Sequence, residues 1–306
     1  MVKFILKRLA AMIPVLLVVS ILVFLMVHLM EGDPAQIIAG EGATEEDIER
    51  VRIAQGFNLP LPEQYIRYMA NVLQGDLGTS IRTNRPVADE IMSKLPNTLV
   101  LSAAAILISV VIGISIGVLS ATKRYSFFDN ASMLIALLGL SVPPFYLGLM
   151  LMLLFCVILH WLPISAEVTL AGLILPAITL SARSMATIAR MTRSSMLEVM
   201  SQDYIQTARA QGFSERKVIF GHAMKNSMNT IVTVAGLQFG SLLGGAVITE
   251  QVFGWPGLGS FVVTSIRARD FPAVQSTILV LACMFVLINL LVDILYAFIN
   301  PRIKLS

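Results

Sequence analysis

The chain has 306 residues, of which 56% are hydrophobic and 13% charged, with a net charge of +3 and a mean hydropathy of +0.80. A soluble domain carries roughly a quarter charged residues, so this composition excludes an ordinary soluble protein and describes an integral membrane protein. Its two cysteines, Cys156 and Cys283, lie in apolar runs without partner spacing, which excludes a disulfide framework and leaves both as buried filler.

Lys3, Lys7 and Arg8 precede an apolar run from about Leu9 to Met30. Signal-peptide apolar regions run roughly 7–15 residues, whereas this one can cross a hydrocarbon core of about 30 Å, so it reads as a retained first transmembrane helix with its amino end in the cytoplasm. His28, near its far end, reads as interfacial. From Glu31 to Leu95 the apolar character disappears and eleven acidic residues face six basic ones, a balance expected of an extracytoplasmic loop, residues 31–95. Within it Glu45 to Gln55 and Glu63 to Leu73 have the pattern of short amphipathic helices, divided by Leu59-Pro60-Leu61-Pro62, where proline disfavours helix in its predecessor.

A second span is expected from about Thr98 to Ala121, stopping at Lys123-Arg124, with Gly113 and Gly117 as a small-residue helix-packing face. The third, from about Ala131 to Leu159, is interrupted by Val142-Pro143-Pro144. Pro143 and Pro144 remove backbone donors and must kink or break the helix. Such a break is tolerated where protein or a watery cavity satisfies the freed groups, so a pathway-lining bend and a structural kink both fit. His160-Trp161 mark the outer interface. The fourth span runs from about Ala171 through Ala182 and past Arg183, Arg190 and Arg193 into a polar loop, residues 183–229.

From Ala182 to Lys225 there are seven basic and three acidic residues, which the positive-inside rule assigns to the cytoplasm. A short helix is expected from about Gln202 to Gln211, stopped by Gly212 in a left-handed conformation, and a second starting at Ser214 as a hydroxyl cap, with Glu215 in its first turn. The fifth span, about Thr230 to Thr249, carries Gly236, Gly240 and Gly244 at four-residue spacing, a packing ridge. Gln238 between them fits a pathway position or an interhelical bond. The string Glu250-Gln251-Val252-Phe253-Gly254-Trp255-Pro256-Gly257-Leu258-Gly259 opens a compact outer loop, residues 250–272, in which Glu250 either lies at a pathway mouth or braces the loop. The sixth span, about Ala273 to Phe298, ends at Asn300-Pro301-Arg302 with Lys304 behind. Asp293, near its inner end, is expected to pair with a cytoplasmic Arg or Lys. The sum is an all-α domain over residues 1–306, with six spans and both termini cytoplasmic.

The chain has no G-x-x-x-x-G-K-[ST] phosphate loop and no His-Glu-x-x-His pair. Transport would therefore draw energy from elsewhere, and the projecting polar loop is the handle. A gradient-driven secondary transporter is the rival from another class, and it calls for paired broken helices with ionisable groups at mid-depth. Here only Pro143-Pro144 is such a break. A membrane-embedded enzyme needs convergent side chains, and the histidines at 28, 160 and 222 do not converge on a linear map.

The loop string DYIQTARAQG followed by HAMKN resembles the EAA loop of ABC-importer membrane subunits, in the variant carried by permeases for dipeptides, oligopeptides, glutathione and nickel. Gln206, Thr207 and Ala208 fall on the Glu-Ala-Ala positions, and only Ala208 and Gly212 match the general pattern literally. Gly32-Asp33-Pro34, Gly56-Phe57-Asn58, Gln64-Tyr65, Gly75-Asp76-Leu77-Gly78, Pro96-Asn97-Thr98 and the outer Glu250-to-Gly259 string are similar to that family in order and spacing. The resemblance implies a type I ABC-importer permease fold in a prokaryotic inner membrane. It implies a homologous second permease, two ATPase subunits and an extracytoplasmic solute-binding protein, with no nucleic acid. ATP and Mg would be bound by the ATPases, with no cofactor or metal in this chain and no catalysis of its own. Asp203, Tyr204, Thr207, Ala208, Arg209 and Gly212 would dock the ATPase, Arg209 by an ion pair and Tyr204 by an apolar contact. The strings from Arg85 to Ile91, Gly236 to Gly240 and Asn289 to Ala297 are most similar to glutathione and short-peptide permeases, with a nickel permease as the alternative.

Overall fold

The computed structural model describes residues 2–29, 33–40, 42–164 and 167–299. The side chains of Lys3, Lys7 and His28, together with Gly32 and Asn300-Pro301-Arg302 with Lys304, lie outside the described residues.

Among the described residues every long element is a helix. α1 (Val2–Leu29) is followed by three short helices, α2 (Pro34–Ala39), α3 (Glu45–Gln55) and α4 (Leu61–Leu73). Local chemistry sets their ends. The Asp33 carboxylate accepts from the Ala35 N–H, and Thr44 and Asp47 form a reciprocal capping box on α3, which closes at Gly56. α4 lies against the apolar first helix through Tyr65 and Tyr68, whose rings are 5.5 and 6.1 Å from that of Phe24. The Tyr65 and Ser20 hydroxyls share a hydrogen bond of 2.8 Å.

α5 spans Val87–Thr122 and so begins well before Thr98, with Pro96 inside it. Val87 and Ile91 are buried against Leu258, Phe261 and Ala273, and this packing carries the helix through a proline that costs one ladder bond. α6 (Phe127–Ser141) and α7 (Pro144–Met152), with a π turn over Leu153–Ile158, replace a straight third span. Val142 is extended, as a residue before proline must be, and Pro144 takes the first helical turn of α7. The two halves meet at 107°, far beyond a kink.

α8 runs unbroken over Leu170–Met200, so Arg183, Arg190 and Arg193, counted above in the polar loop that starts at residue 183, are helical. α9 (Asp203–Ala210) follows. The expected second short helix is not separate: α10 (Glu215–Lys217) passes through a π turn at Val218–Ala223 into α11 (Met224–Phe253). Ser214 sits at the cap position without a side-chain cap bond. The outer loop contains a helix absent from the sequence reading, α12 (Leu258–Arg267), before α13 (Phe271–Ile299).

α1, α5, α8 and α13 are each long and apolar enough to cross a membrane, and counting the bent α6–α7 pair and the helical stretch from Glu215 to Phe253, bent by 53° between Leu242 and Gly244, as one span each raises the number to six among the described residues. Their core is a cluster of Leu101 and Ala105 of α5, Ala177 and Leu180 of α8, Leu242 and Ala246 of α11, and Trp255. At the other end of the chain's span, Arg8 pairs with Asp293 at 2.8 Å and ties α1 to α13.

Candidate functional site

The projecting element is α9, delivered by the end of α8 and turned back by Gly212. Gly212 has φ +80°, the left-handed region where a side chain is strained, and its N–H donates to the Arg209 carbonyl at 2.9 Å. The helix is amphipathic with an inward face of Ile205 and Ala208. These pack with Val118 and Ala121 of α5, Met196 of α8, and Val218 and Ala223 of the returning helix. Ala208, expected among the docking residues, is therefore a buried residue of the loop's own core. Ile205, which the sequence reading passed over, is fully buried beside it.

Asp203, Tyr204 and Thr207 are exposed on the opposite face. The Thr207 hydroxyl donates to the Asp203 carbonyl at 3.0 Å, bracing the first turn. The Tyr204 hydroxyl accepts from the Asn226 amide at 2.8 Å, tying α9 to α11 while the residue stays 43% exposed. Arg209 donates from Nε to Glu215 at 2.8 Å, an ion pair within the loop itself. Behind the turn Phe213 lies between the His222 ring, 5.6 Å away, and the Lys217 ammonium at 4.3 Å. The loop is thus a preformed shape whose outward groups are Asp203, Tyr204, Thr207 and the turn at Gly212.

Gly113 and Gly117 join this loop to the span bundle. A Cβ on Gly117 would lie 2.5 Å from the Thr192 Cβ and 2.6 Å from the Ala189 carbonyl, and one on Gly113 would meet Met185 and Ile188. α5 and α8 therefore touch backbone to backbone immediately above the cluster that seats α9. On α11, Gly236 faces Val292 and Gly240 faces Asn289, both of α13, whereas Gly244 has open space. The packing ridge ends at Gly240.

Gln238 accepts a hydrogen bond from Ser184 at 3.2 Å, which links α11 to α8. Glu250 is 0% exposed. Its two oxygens accept from the Thr98 hydroxyl at 2.7 Å and the Ser260 N–H at 3.0 Å, and Thr98 in turn accepts from the Leu258 N–H at 2.8 Å. In this structure it braces the outer loop. The Trp255 indole donates to the Asn97 carbonyl at 3.0 Å, and the Asn97 amide donates back to Pro256 at 2.8 Å. Asp270 accepts from the Ser80 hydroxyl and the Ile81 N–H. Three distant stretches are so knitted into one cap over the bundle.

Residues 113–305 match the family model described as binding-protein-dependent transport system inner membrane component, and residues 1–102 match its N-terminal companion. The chain is 46% identical over 304 residues to the glutathione transport system permease protein GsiC of Escherichia coli strain K12, covering 99% of each chain. The protein of that name from Salmonella paratyphi A shows the same identity and coverage. Among solved structures it is similar to a chain of the MetNI methionine ABC transporter in an inward-facing conformation, with a TM-score of 0.58 at 20% identity over 69% of this chain and 96% of that one. An amino acid ABC transporter solved with histidines gives a TM-score of 0.53 at 17% identity, over 70% and 94%. Those two share the fold, and the full-length identity goes further: this chain belongs to the binding-protein-dependent transport system inner-membrane components, the permease subunits of ABC importers.

Proposed function

We propose that this chain forms half of the translocation pathway of an ATP-driven importer for glutathione or closely similar short peptides. The observation that carries the substrate is the 46% identity over 99% of both chains to permeases named for glutathione transport. A second, homologous permease supplies the other half, and an extracytoplasmic binding protein delivers the solute. Two ATPase subunits bind ATP and Mg.

The exposed face of α9, with Asp203, Tyr204, Thr207 and the Gly212 turn, is the ATPase-docking surface, and the excess of basic residues around it supports a cytoplasmic location for it and for both chain ends. Arg209 holds the loop's shape through Glu215. When the ATPases close, force on α9 passes through Ile205 and Ala208 to Met196, Val118 and Ala121, and so to the tightly packed α5 and α8. These helices also support the outer cap through Thr98 and Leu180, so movement at the inner end reaches the cap that Glu250 braces. Gln238 and the Pro143-Pro144 bend remain the pathway positions to test.

The test is uptake into proteoliposomes holding the purified importer and internal ATP, with labelled glutathione, a labelled dipeptide and nickel supplied with the cognate binding protein. Glutathione should accumulate in an ATP-dependent way and nickel should not. Uptake that survives ATP removal but stops when ion gradients are dissipated would establish the secondary-transporter reading instead.

A further inference from the structure

The turn between α5 and α6 lies at the same end of the bundle as α9, because Val118 and Ala121 of α5 pack with Ile205 and Ala208. It also lies at the edge of an apolar span, since α5 ends at Thr122. Its residues, Lys123-Arg124-Tyr125-Ser126-Phe127-Phe128, set two cations among three aromatic rings. Phe127 is 89% exposed, Tyr125 72% and Phe128 41%. Lys123 and Arg124 are exposed too, and among the described residues neither forms an ion pair. The Arg124 guanidinium lies 4.4 Å above the Tyr125 ring.

This turn is held, not loose. Tyr125 has φ +62°, a conformation a bulky residue keeps only when its surroundings enforce it. Its N–H donates to Asp129 at 2.9 Å, and Ser126 accepts from the Asp129 N–H at 3.2 Å. Asp129 is fully buried and grips Arg193 of α8 through two bonds of 2.6 and 2.7 Å. A buried fork between α6 and α8 therefore fixes a strained turn whose whole outward content is basic and aromatic.

We infer that this turn binds the headgroup of an anionic phospholipid in the leaflet at the α9 end of the bundle. Lys123 and Arg124 meet the phosphate, while Phe127 and Phe128 sit in the boundary below it, the depth that aromatic side chains favour. Charge complementarity and the position at the end of an apolar span select a lipid over a protein partner. The bound headgroup steadies Asp129 and Arg193, three residues before the Met196 that seats α9. The inference does not depend on which solute is carried.

The experiment uses the full-length chain with Phe127→Trp, in phosphatidylcholine vesicles carrying an equal fraction of either brominated phosphatidylglycerol or brominated phosphatidylcholine. The unsubstituted chain, with Trp161 and Trp255, supplies the background. Two basic groups near a surface enrich an anionic lipid several-fold, so quenching by brominated phosphatidylglycerol should exceed that by brominated phosphatidylcholine by at least about twofold. Lys123→Ser with Arg124→Ser should bring the two level without changing the thermal midpoint. Native mass spectrometry of the unsubstituted chain should likewise show retained phosphatidylglycerol that the double variant loses. Equal quenching by both lipids from the start, with no retained phosphatidylglycerol, would reduce the turn to a lipid-facing aromatic patch and overturn the inference. Absence of quenching by either lipid would place a protein surface over Phe127 and overturn it as well.

Discussion

Gly212 carries the sharpest single-residue demand in the proposed docking loop. Its φ of +80° is one that proline, fixed near −65°, cannot reach, and its N–H is used by the Arg209 carbonyl. Gly212→Pro should therefore misplace α9 while the span bundle still assembles, leaving ATP hydrolysis in the complex but severing it from uptake. Gly212→Ala, which costs about 1 kcal/mol at such a position, should lower coupling only partly. Parallel assays of hydrolysis and accumulation in proteoliposomes separate the two effects, and normal uptake by the proline variant would contradict the role of this turn. Glu250 makes a different kind of prediction. Truncation to alanine strands the Thr98 hydroxyl and the Ser260 N–H in a buried cap, so stability should fall by roughly 2–4 kcal/mol, read as a lowered thermal midpoint in detergent. Full stability with abolished uptake in Glu250→Ala would instead favour the pathway-mouth reading. The pattern of small residues and helix stops on α9 was readable from spacing alone. Which side of α9 faces inward was not, because Ala208 and Thr207 differ by one position in a helix whose partners, Val118 and Met196, lie far away in the chain.

Packing between elements is where close approach can be tested. At Gly117 an added Cβ meets the Thr192 side chain and a carbonyl of α8, so Gly117→Val should overpack the α5–α8 contact by about 1–3 kcal/mol and reduce folded yield. Gly244→Ala, with open space around it, should leave the thermal midpoint unchanged; equal losses at both positions would show that the two contacts are misread. The short helix α3 offers a pH test. The Thr44 hydroxyl and N–H hold the Asp47 carboxyl below its ordinary value of 3.8, and Arg50 adds to this. A depressed value means that the capping box is fully present above that ordinary value and is lost as pH falls below it, through the lowered value of the folded helix. Protection of the first-turn amides of α3, measured against their intrinsic exchange rates at each pH, should fall over that acid window and stay level between neutral pH and mild acid. Helices with local punctuation, such as α3 with Thr44 and Gly56, were legible to the residue. α12 and the first turns of α5 were not: the former is set by burial of Leu258 and Phe261, the latter runs through Pro96, and in both tertiary packing overrides the local signals.

Across the whole molecule, one continuous line of packing connects α9, the proposed docking element, to the cap that Glu250 braces. It starts at α9, passes through the cluster of Ile205, Met196 and Val118, rises along α5 and α8 in contact at Gly113 and Gly117, and ends at Thr98, Glu250 and Trp255. Span number and the polar projection followed from composition and charge, while the 107° turn at Pro143-Pro144 exceeded what two prolines alone dictate. This line has a use only if an ATPase is attached to its inner end. The most direct measurement is purification of the full-length chain from native membranes, with identification of co-purifying subunits and an ATPase assay with and without loaded binding protein. The predicted result is recovery of a homologous permease and ATPases, with turnover stimulated by the loaded binding protein and lost from coupling in Gly212→Pro. Recovery of the chain alone, without ATPase activity, would contradict the account.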